Sequence, residues 1–454
     1  MPRLAERESL RGRCAPLPPE ATPLELFRRL TPEEGPLFLD SSGGSEELAR
    51  FSFLAWGAAP LLAFPPDPHR GRDPFAALER AVARRPLRRE GPFPPIVAIG
   101  WLGYDLGRCV ERLPAPPPEN LRLPAMRFAF PRFFVGLDAK GGGPALHVAA
   151  EKGREEAAIR KARTTVEEVL RRPLALKPFR LPVPLRSDFT ERAYWAAVER
   201  ARALVASGDL FQVNLSQRFA GRFEGSPLAL HERLRASNPS PFGACLVAGG
   251  SALLSSSPER FLRLEAGRVE TRPIKGTRAR TGDPGRDAQA LEELEADEKE
   301  RAELTMIVDV ERNDLARVCE AGSVRVPRPA ATEAYARVFH RVATVEGRLR
   351  AGAGLADLLR ATFPTGSVTG APKIRAMEAI AALERTGRGV YTGAIGWIGG
   401  DGSLDLSVAI RTLSLRGGRL AYRVGGGIVY DSDPRAEYEE TLAKGRAIEE
   451  ALAP

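Results

Sequence analysis

The sequence predicts an α+β fold dominated by a large antiparallel sheet. Two observations carry that prediction. Residues 243–275 and 393–429 are rich in short β-forming runs, and the turns EAGR, GGDG and RGGR separate them at hairpin spacing. Between these blocks, residues 285–309, 352–361 and 372–386 repeat apolar side chains at the helical period. With 454 residues, the chain is long enough for two domains or one large layered unit.

Residues 1–140 mix short apolar runs with proline-rich connections. VAIGWLGYDLG (97–107) reads as a strand entering a turn, and LPAPPPENLRLP (113–124) as an extended loop. GLDAKGGGPALHVAAE (136–151) reads as a hairpin, followed by a charged helical run to Arg172. PLALKPFRLPVPLRS (173–187), punctuated by prolines, is the best boundary, dividing residues 1–180 from residues 181–454. Beyond it, Asp188 and Glu191 make a capping box, and Tyr194, Val198, Ala201 and Val205 keep helical spacing up to Gly208. In DLFQVNLSQRF, Phe211, Val213 and Leu215 alternate with Gln212, Asn214 and Ser216. That period of two sets amides and a hydroxyl on one face of a strand.

Bulk composition bounds the function. A chain 43% hydrophobic and 28% charged is that of an ordinary globular protein, and no apolar run approaches the roughly 18 residues of a membrane span. The start, MPRLAERESLRGR, is charged and has no signal-peptide core. Cys14, Cys109, Cys245 and Cys319 lie far apart, which fits reduced thiols in a cytoplasm. Net charge is +9, but the arginines are scattered and aromatics make up only 7%. No nucleic-acid or membrane partner is expected; an anionic small substrate is favoured.

Lysine is scarce, with eight against 59 arginines. TRPIKGTRAR (271–280) nevertheless keeps Lys275 among arginines, and a lysine can be tuned to attack carbon where an arginine cannot. Glu300 and Glu303 stand one helical turn apart, as do Glu437 and Glu440. Two helices offering such pairs suit one Mg²⁺, although glutamates on helices commonly just face solvent. FPTGSVTGAPK (363–373) is not a Walker loop. Pro372 opens a helix that closes at Gly387, and the N–H groups of Gly366 to Ala371 either receive a carboxylate or a phosphate or belong to an ordinary capped helix after a glycine turn. Gly425 to Gly427 follow a strand and either admit a ligand or mark a bulge. Glu259, between two strands in SSSPERF, reads alone as a surface turn acid, and His340 alone as structural.

SSSPERF, PIKGTR, RAELTMIVDVERNDLARV, FPTGSVTGAPK, YTGAIGWI, SVAIRT and GGGIVYDSDPRAEYEET follow one another in an order that resembles the chorismate-utilising enzymes. These are the synthase subunits of anthranilate and aminodeoxychorismate synthases and their isochorismate and salicylate relatives. The resemblance covers roughly residues 185–450, and GWLGYD (100–105) extends it weakly into the N-terminal region. It implies the four-layer αββα fold of anthranilate synthase component I, two antiparallel sheets flanked by helices. Residues 1–180 would form the N-terminal region and 181–454 the chorismate-binding catalytic domain.

Anthranilate synthase subunits typically carry alanine at the third position of PI-x-GT, whereas aminodeoxychorismate synthase component I carries lysine, as here. The resemblance therefore implies amination of chorismate at C4, giving 4-amino-4-deoxychorismate for 4-aminobenzoate and folate synthesis. Lys275 would add to C2 while the C4 hydroxyl departs, and ammonia would then attack C4 and expel the lysine. Arg272 and Arg278 would disfavour a further charge and free the amine. Anthranilate synthase, releasing anthranilate and pyruvate, is the alternative.

By the same resemblance, Glu259 is the general acid. Glu303 and Glu440 hold Mg²⁺, with Glu300 and Glu437 acting through its waters. Tyr391, Arg411 and Lys444, helped by Gly425, Gly426 and Gly427, grip the substrate carboxylates, and Thr277 lines the substrate. Gln212 stands where water-adding relatives place a lysine, which favours ammonia over water. His340 matches an active-site histidine, and Lys373 has no assigned role. The chain ends soon after the last motif, so ammonia is expected from a separate glutamine amidotransferase subunit. PLFLDSSG (36–43) matches the tryptophan-binding segment of regulated anthranilate synthases only poorly, so tryptophan control is not expected.

Overall fold

Alternation of side chains along the strands sets the layers. Phe38, Leu54, Cys245 and Val247 enter one apolar cluster, while Leu37, Leu39, Phe53, Ala55, Ala244 and Leu246, on the opposite strand faces, enter another. Strands apolar on both faces must be covered on both faces, and the architecture follows. The computed structural model describes residues 10–453, apart from 46, 58, 67–72 and 336. The charged first nine residues lie outside the described residues.

A twelve-stranded antiparallel sheet has Leu10–Pro16 at one edge and Arg186–Ser187 at the other. At its centre Leu37–Asp40, Phe242–Ala248, Ser251–Ser257, Thr412–Arg416, Arg419–Ile428 and Gln212–Arg222 lie side by side. A ten-stranded sheet runs from Ile274–Ala279 to Leu61–Phe64. The sheets meet through Phe53, Phe93, Trp101, Phe134, Leu246, Leu253 and Ile395. Helices Pro74–Ala83, Glu298–Ala316 and Leu355–Thr362 cover the outer face of the second sheet. Pro23–Phe27, Glu155–Leu170, Pro227–Ser237 and Pro434–Leu452 cover the first. The result is the expected α+β, four-layer αββα arrangement. Both sheets draw strands from either side of the 173–187 linker: Leu39 pairs with Ala244, and Gly100 with Gly396.

Local differences from expectation have identifiable causes. The helical run 285–309 is two helices, Pro284–Ala296 and Glu298–Ala316. Asp297 turns extended between them, and its side chain accepts the Glu300 N–H as the second helix's cap. Asp188 does not form the capping box, because its carboxylate receives the Arg218 N–H and the Thr386 hydroxyl. Thr190 caps Glu191–Ala206 instead. Pro372 is the N-cap of Lys373–Leu383, which stops short of Gly387. The three glycines lie within the strand Arg419–Ile428 rather than after it.

The segments around Glu259 and Arg411 are not hairpin turns. Ser251–Ser257 belongs to the first sheet and Arg260–Glu265 to the second, so the chain changes sheet at Pro258–Glu259. It returns at Ala409–Arg411, between Leu404–Val408 and Thr412–Arg416. Backbone bonds hold the crossings together, Val408 N–H to Glu259 O at 3.0 Å and Ser256 N–H to Arg411 O at 3.2 Å. Among the described residues no helix is long and apolar enough to cross a membrane, and the four cysteines are free.

Candidate active site

Lys275 sits half-buried on the edge strand Ile274–Ala279, with Nζ 3.9 Å from Glu303 Oε2. Gln212, at the start of its strand, donates from Nε2 to the same Glu303 oxygen at 3.0 Å. Gly427 leaves the room for both: a methyl group there would lie 2.1 Å from Gln212 Nε2 and 3.3 Å from Lys275 Nζ. Amide, amine and carboxylate therefore meet at a bare stretch of backbone.

Glu259 is buried beside them, with Oε1 accepting from Ser367 Oγ at 2.5 Å. Burial pushes its carboxyl up to about 7; Ser367 and Lys275 hold it down, and the charge of Glu311 adds to the rise. A carboxyl near neutrality gives up a proton readily at physiological pH, as a general acid must. The surface-turn alternative for Glu259 is overturned.

Thr277 Oγ1 and His340 Nδ1 share a hydrogen bond at 2.8 Å across paired strands. Burial, and then the charge of Arg411, brings His340 down to about 3, so its ring is neutral at pH 7. Its Nε2 is buried without a partner among the described residues, a free position for a ligand group. Arg411 adopts φ 49° at the sheet crossing and donates to Asn238 Oδ1 at 3.1 Å. Lys444 donates to Gly425 O at 3.1 Å and pairs with Glu440 at 2.5 Å. Tyr391 is buried, and the guanidinium of Arg388 lies 5.6 Å from its ring centre.

The four candidate metal carboxylates come from two helices. Glu300 pairs with Arg278 at 2.9 Å, but its Oε2 is buried with no partner among the described residues. Glu437 accepts from Ser432 Oγ at 2.6 Å, and burial raises its carboxyl above the ordinary value. Lys444, acting against burial, draws Glu440 below it. Glu437 and Glu440 both approach Gly426. Among the described residues no three His, Cys, Asp or Glu side chains stand together so as to hold a metal ion. Mg²⁺ keeps several waters and takes one or two carboxylates, so hard oxygen donors of this kind, one of them orphaned, fit it.

Two expectations fail. Arg272 pairs with Glu333, and Arg278 with Glu300 and Asp297. Both guanidiniums are neutralised in place, so they do not repel a charge on Lys275. Nor do the N–H groups of Gly366 to Ala371 all await a ligand, since Gly366 N–H already donates to Glu311 at 3.0 Å. Lys373, left without a role, pairs with Asp314 and donates to Thr362 O at 3.1 Å, a structural tie.

A family model described as chorismate binding enzyme matches residues 37–450. The chain belongs to the chorismate binding enzymes. This chorismate-utilising enzyme is 40% identical over 447 residues to an anthranilate synthase component 1 of Streptomyces coelicolor, covering 94% of this chain and 86% of the relative. It is equally 40% identical over 376 residues to an aminodeoxychorismate synthase component 1 of Salmonella typhimurium, covering 82% of this chain and 81% of the relative. The solved anthranilate synthase component I of Streptococcus pneumoniae superposes with a TM-score of 0.77 at 33% identity, over 88% of this chain and 92% of that one.

Proposed function

We propose that this chain aminates chorismate at C4 to give 4-amino-4-deoxychorismate through a covalent bond to Lys275. The observation that carries the reading is the placement of Lys275 Nζ. It stands at Gly427 in contact range of Glu303, with the buried carboxyl of Glu259 close enough to feel its charge. The Lys275 amine forms a bond to ring carbon C2, and the two ring double bonds each shift by one position. The C4–O bond breaks, and the hydroxyl leaves as water with the proton of Glu259. Ammonia then attacks C4, the double bonds return, the Lys275–C2 bond breaks to release the amine, and the proton that the added nitrogen loses restores Glu259.

Arg411, Tyr391, Lys444 and the Gly425–Gly427 backbone would orient the two substrate carboxylates. Glu303 and Glu440 would hold Mg²⁺ directly, with Glu300 and Glu437 reaching it through water. When bound, Mg²⁺ supplies positive charge that neutralises the ring carboxylate. Relatives are named component 1, so the ammonia is assigned to a separate glutamine amidotransferase subunit. Gln212 has no proton-accepting nitrogen and cannot activate water in ammonia's place.

Anthranilate synthase is the second reading, favoured by the greater coverage of relatives with that name. Chorismate, Mg²⁺ and ammonium with the purified chain separate the two. A product that keeps its enolpyruvyl group supports amination at C4; free pyruvate with fluorescent anthranilate supports the second reading. Lys275→Ala is expected to abolish the covalent adduct seen by intact mass and most of the amination. Full amination by that variant would end the Lys275 mechanism.

A further inference from the structure

Glu311 is a fully buried carboxylate for which the chemistry above has no use. It stands on the helix Glu298–Ala316, two turns beyond Glu303, and it closes on the loop that follows the next helix. Its Oε1 accepts from Thr365 Oγ1 at 2.5 Å and from Gly366 N–H at 3.0 Å, and its Oε2 from Thr271 Oγ1 at 3.4 Å. One residue further along that loop, Ser367 donates to Glu259. The Thr365 and Ser367 hydroxyls lie 3.4 Å apart.

We propose that Glu311 is a positioning residue for the reaction: it clamps the Thr365–Ser367 turn so that the Ser367 hydroxyl holds one oxygen of Glu259 and leaves the other to carry the transferred proton. The proposal rests on Glu259 being the acid of the function proposed above. The charge of Glu311 acts on Glu259 as well, in the opposite sense to the Ser367 hydrogen bond, which lowers the Glu259 carboxyl. A second carboxylate nearby disfavours ionisation of Glu259, adding to the effect of burial. The other groups facing Glu259 are Lys275 and the Ile274 N–H from the edge strand, and Ser367. Asp314, on Glu311's own helix, is paired with Lys373 and so is partly neutralised.

A purely structural clamp and a positioning residue differ in what removal of the charge does. Glu311→Gln keeps the side chain's shape and one acceptor. Chorismate consumption, which either branch of the family would register, is followed from about pH 5.5 to 9. Positioning predicts that kcat near pH 8 falls about tenfold while KM holds within about twofold. The basic limb of the kcat profile also moves to lower pH. Ser367→Ala, which removes a donor to the charged carboxylate, moves that limb to higher pH.

An unmoved limb with preserved kcat in Glu311→Gln overturns the proposal. If that variant lacks a cooperative melt, Thr365→Val carries the test, since it deletes one donor to Glu311 and leaves the charge. There kcat must fall with KM unchanged, and an unchanged kcat overturns the proposal. Glu259→Gln is the control. Full turnover in that variant overturns the assignment of the acid itself, and this proposal with it. A dead Glu259→Gln beside an unaffected Glu311→Gln overturns only the role of Glu311.

Discussion

Glu259 and Glu384 are each 4% exposed, yet their carboxyls move in opposite directions. Burial alone would raise both. Around Glu384, Arg388 and Arg423 reverse the effect and bring it below the ordinary value. Its Oε1 accepts from Ser216 N–H, Ser216 Oγ and Arg388, and its Oε2 from Arg423 at 2.9 Å. The arginines direct further N–H groups to Val368 O, Asn214 O and the Thr386 hydroxyl. Glu259 has one hydroxyl, one backbone N–H of Ile274 and a single lysine, opposed by Glu311. The number and charge of donors, not depth, decide which buried glutamate is an ion and which a proton reservoir.

The largest effect should come from breaking the satisfied cluster. Glu384→Gln leaves two buried guanidiniums without their anion and is expected to cost about 3–5 kcal/mol in urea unfolding. A cost below about 1 kcal/mol would mean that water reaches the arginines and that the contrast with Glu259 is not one of satisfaction.

Next comes the pH dependence of stability. Glu259 titrates at about 7 when folded against an ordinary 4.5, so between these values the folded protein keeps a proton that the unfolded chain releases. Stability from this group is full below pH 4.5 and is lost as pH rises through about 7, by at most about 3 kcal/mol. Glu259→Gln has no such loss. Its melting advantage over wild type should therefore grow between about pH 4.5 and 8. A pH-independent difference would sink the assignment. Glu384 runs the other way: its stabilisation is present above 4.5 and disappears as acid protonates it in the folded state.

Smallest is a steric probe of the bare backbone. Gly427→Ala suits a strand, but its methyl meets the flexible end of Gln212 and narrows the space at Lys275. Chorismate turnover is expected to fall about tenfold with less than about 1 kcal/mol lost in stability. Unchanged turnover would show that the pocket does not need this opening.

Much of the fold was legible in the sequence because its signals are local. The RGGR turn survives as a hairpin, and the alternation from Gln212 to Ser216 as part of the strand Gln212–Arg222. The paired glutamates likewise announced themselves by helical spacing. What stayed hidden depends on partners remote in sequence. Whether Pro258–Glu259 turns within a sheet or crosses between sheets is decided by the pairing of Arg260 with Ser407. Arg272 and Arg278 looked like neighbours of Lys275, and only folding supplies Glu333 and Asp297 to neutralise them. Asp188 was the expected cap, and the distant Thr386 and the Arg218 N–H take its carboxylate, which leaves the role to Thr190. Glu311 did leave a mark: it is an acid on the helix face that also carries Leu304, Ile307, Val308 and Leu315. An anion among those apolar side chains calls for donors from another segment.

Arg411 has one further implication. Its backbone sits at φ 49°, where a β-carbon is crowded and glycine rests comfortably. The crossing thus holds a long side chain at a place that the backbone would fill more easily with none, a strain on the order of 1 kcal/mol. Breeding for heat tolerance, blind to catalysis, would be drawn to Arg411→Gly. It would be rewarded with a firmer protein and would discard the guanidinium proposed to grip the substrate. At this position robustness and usefulness select different residues.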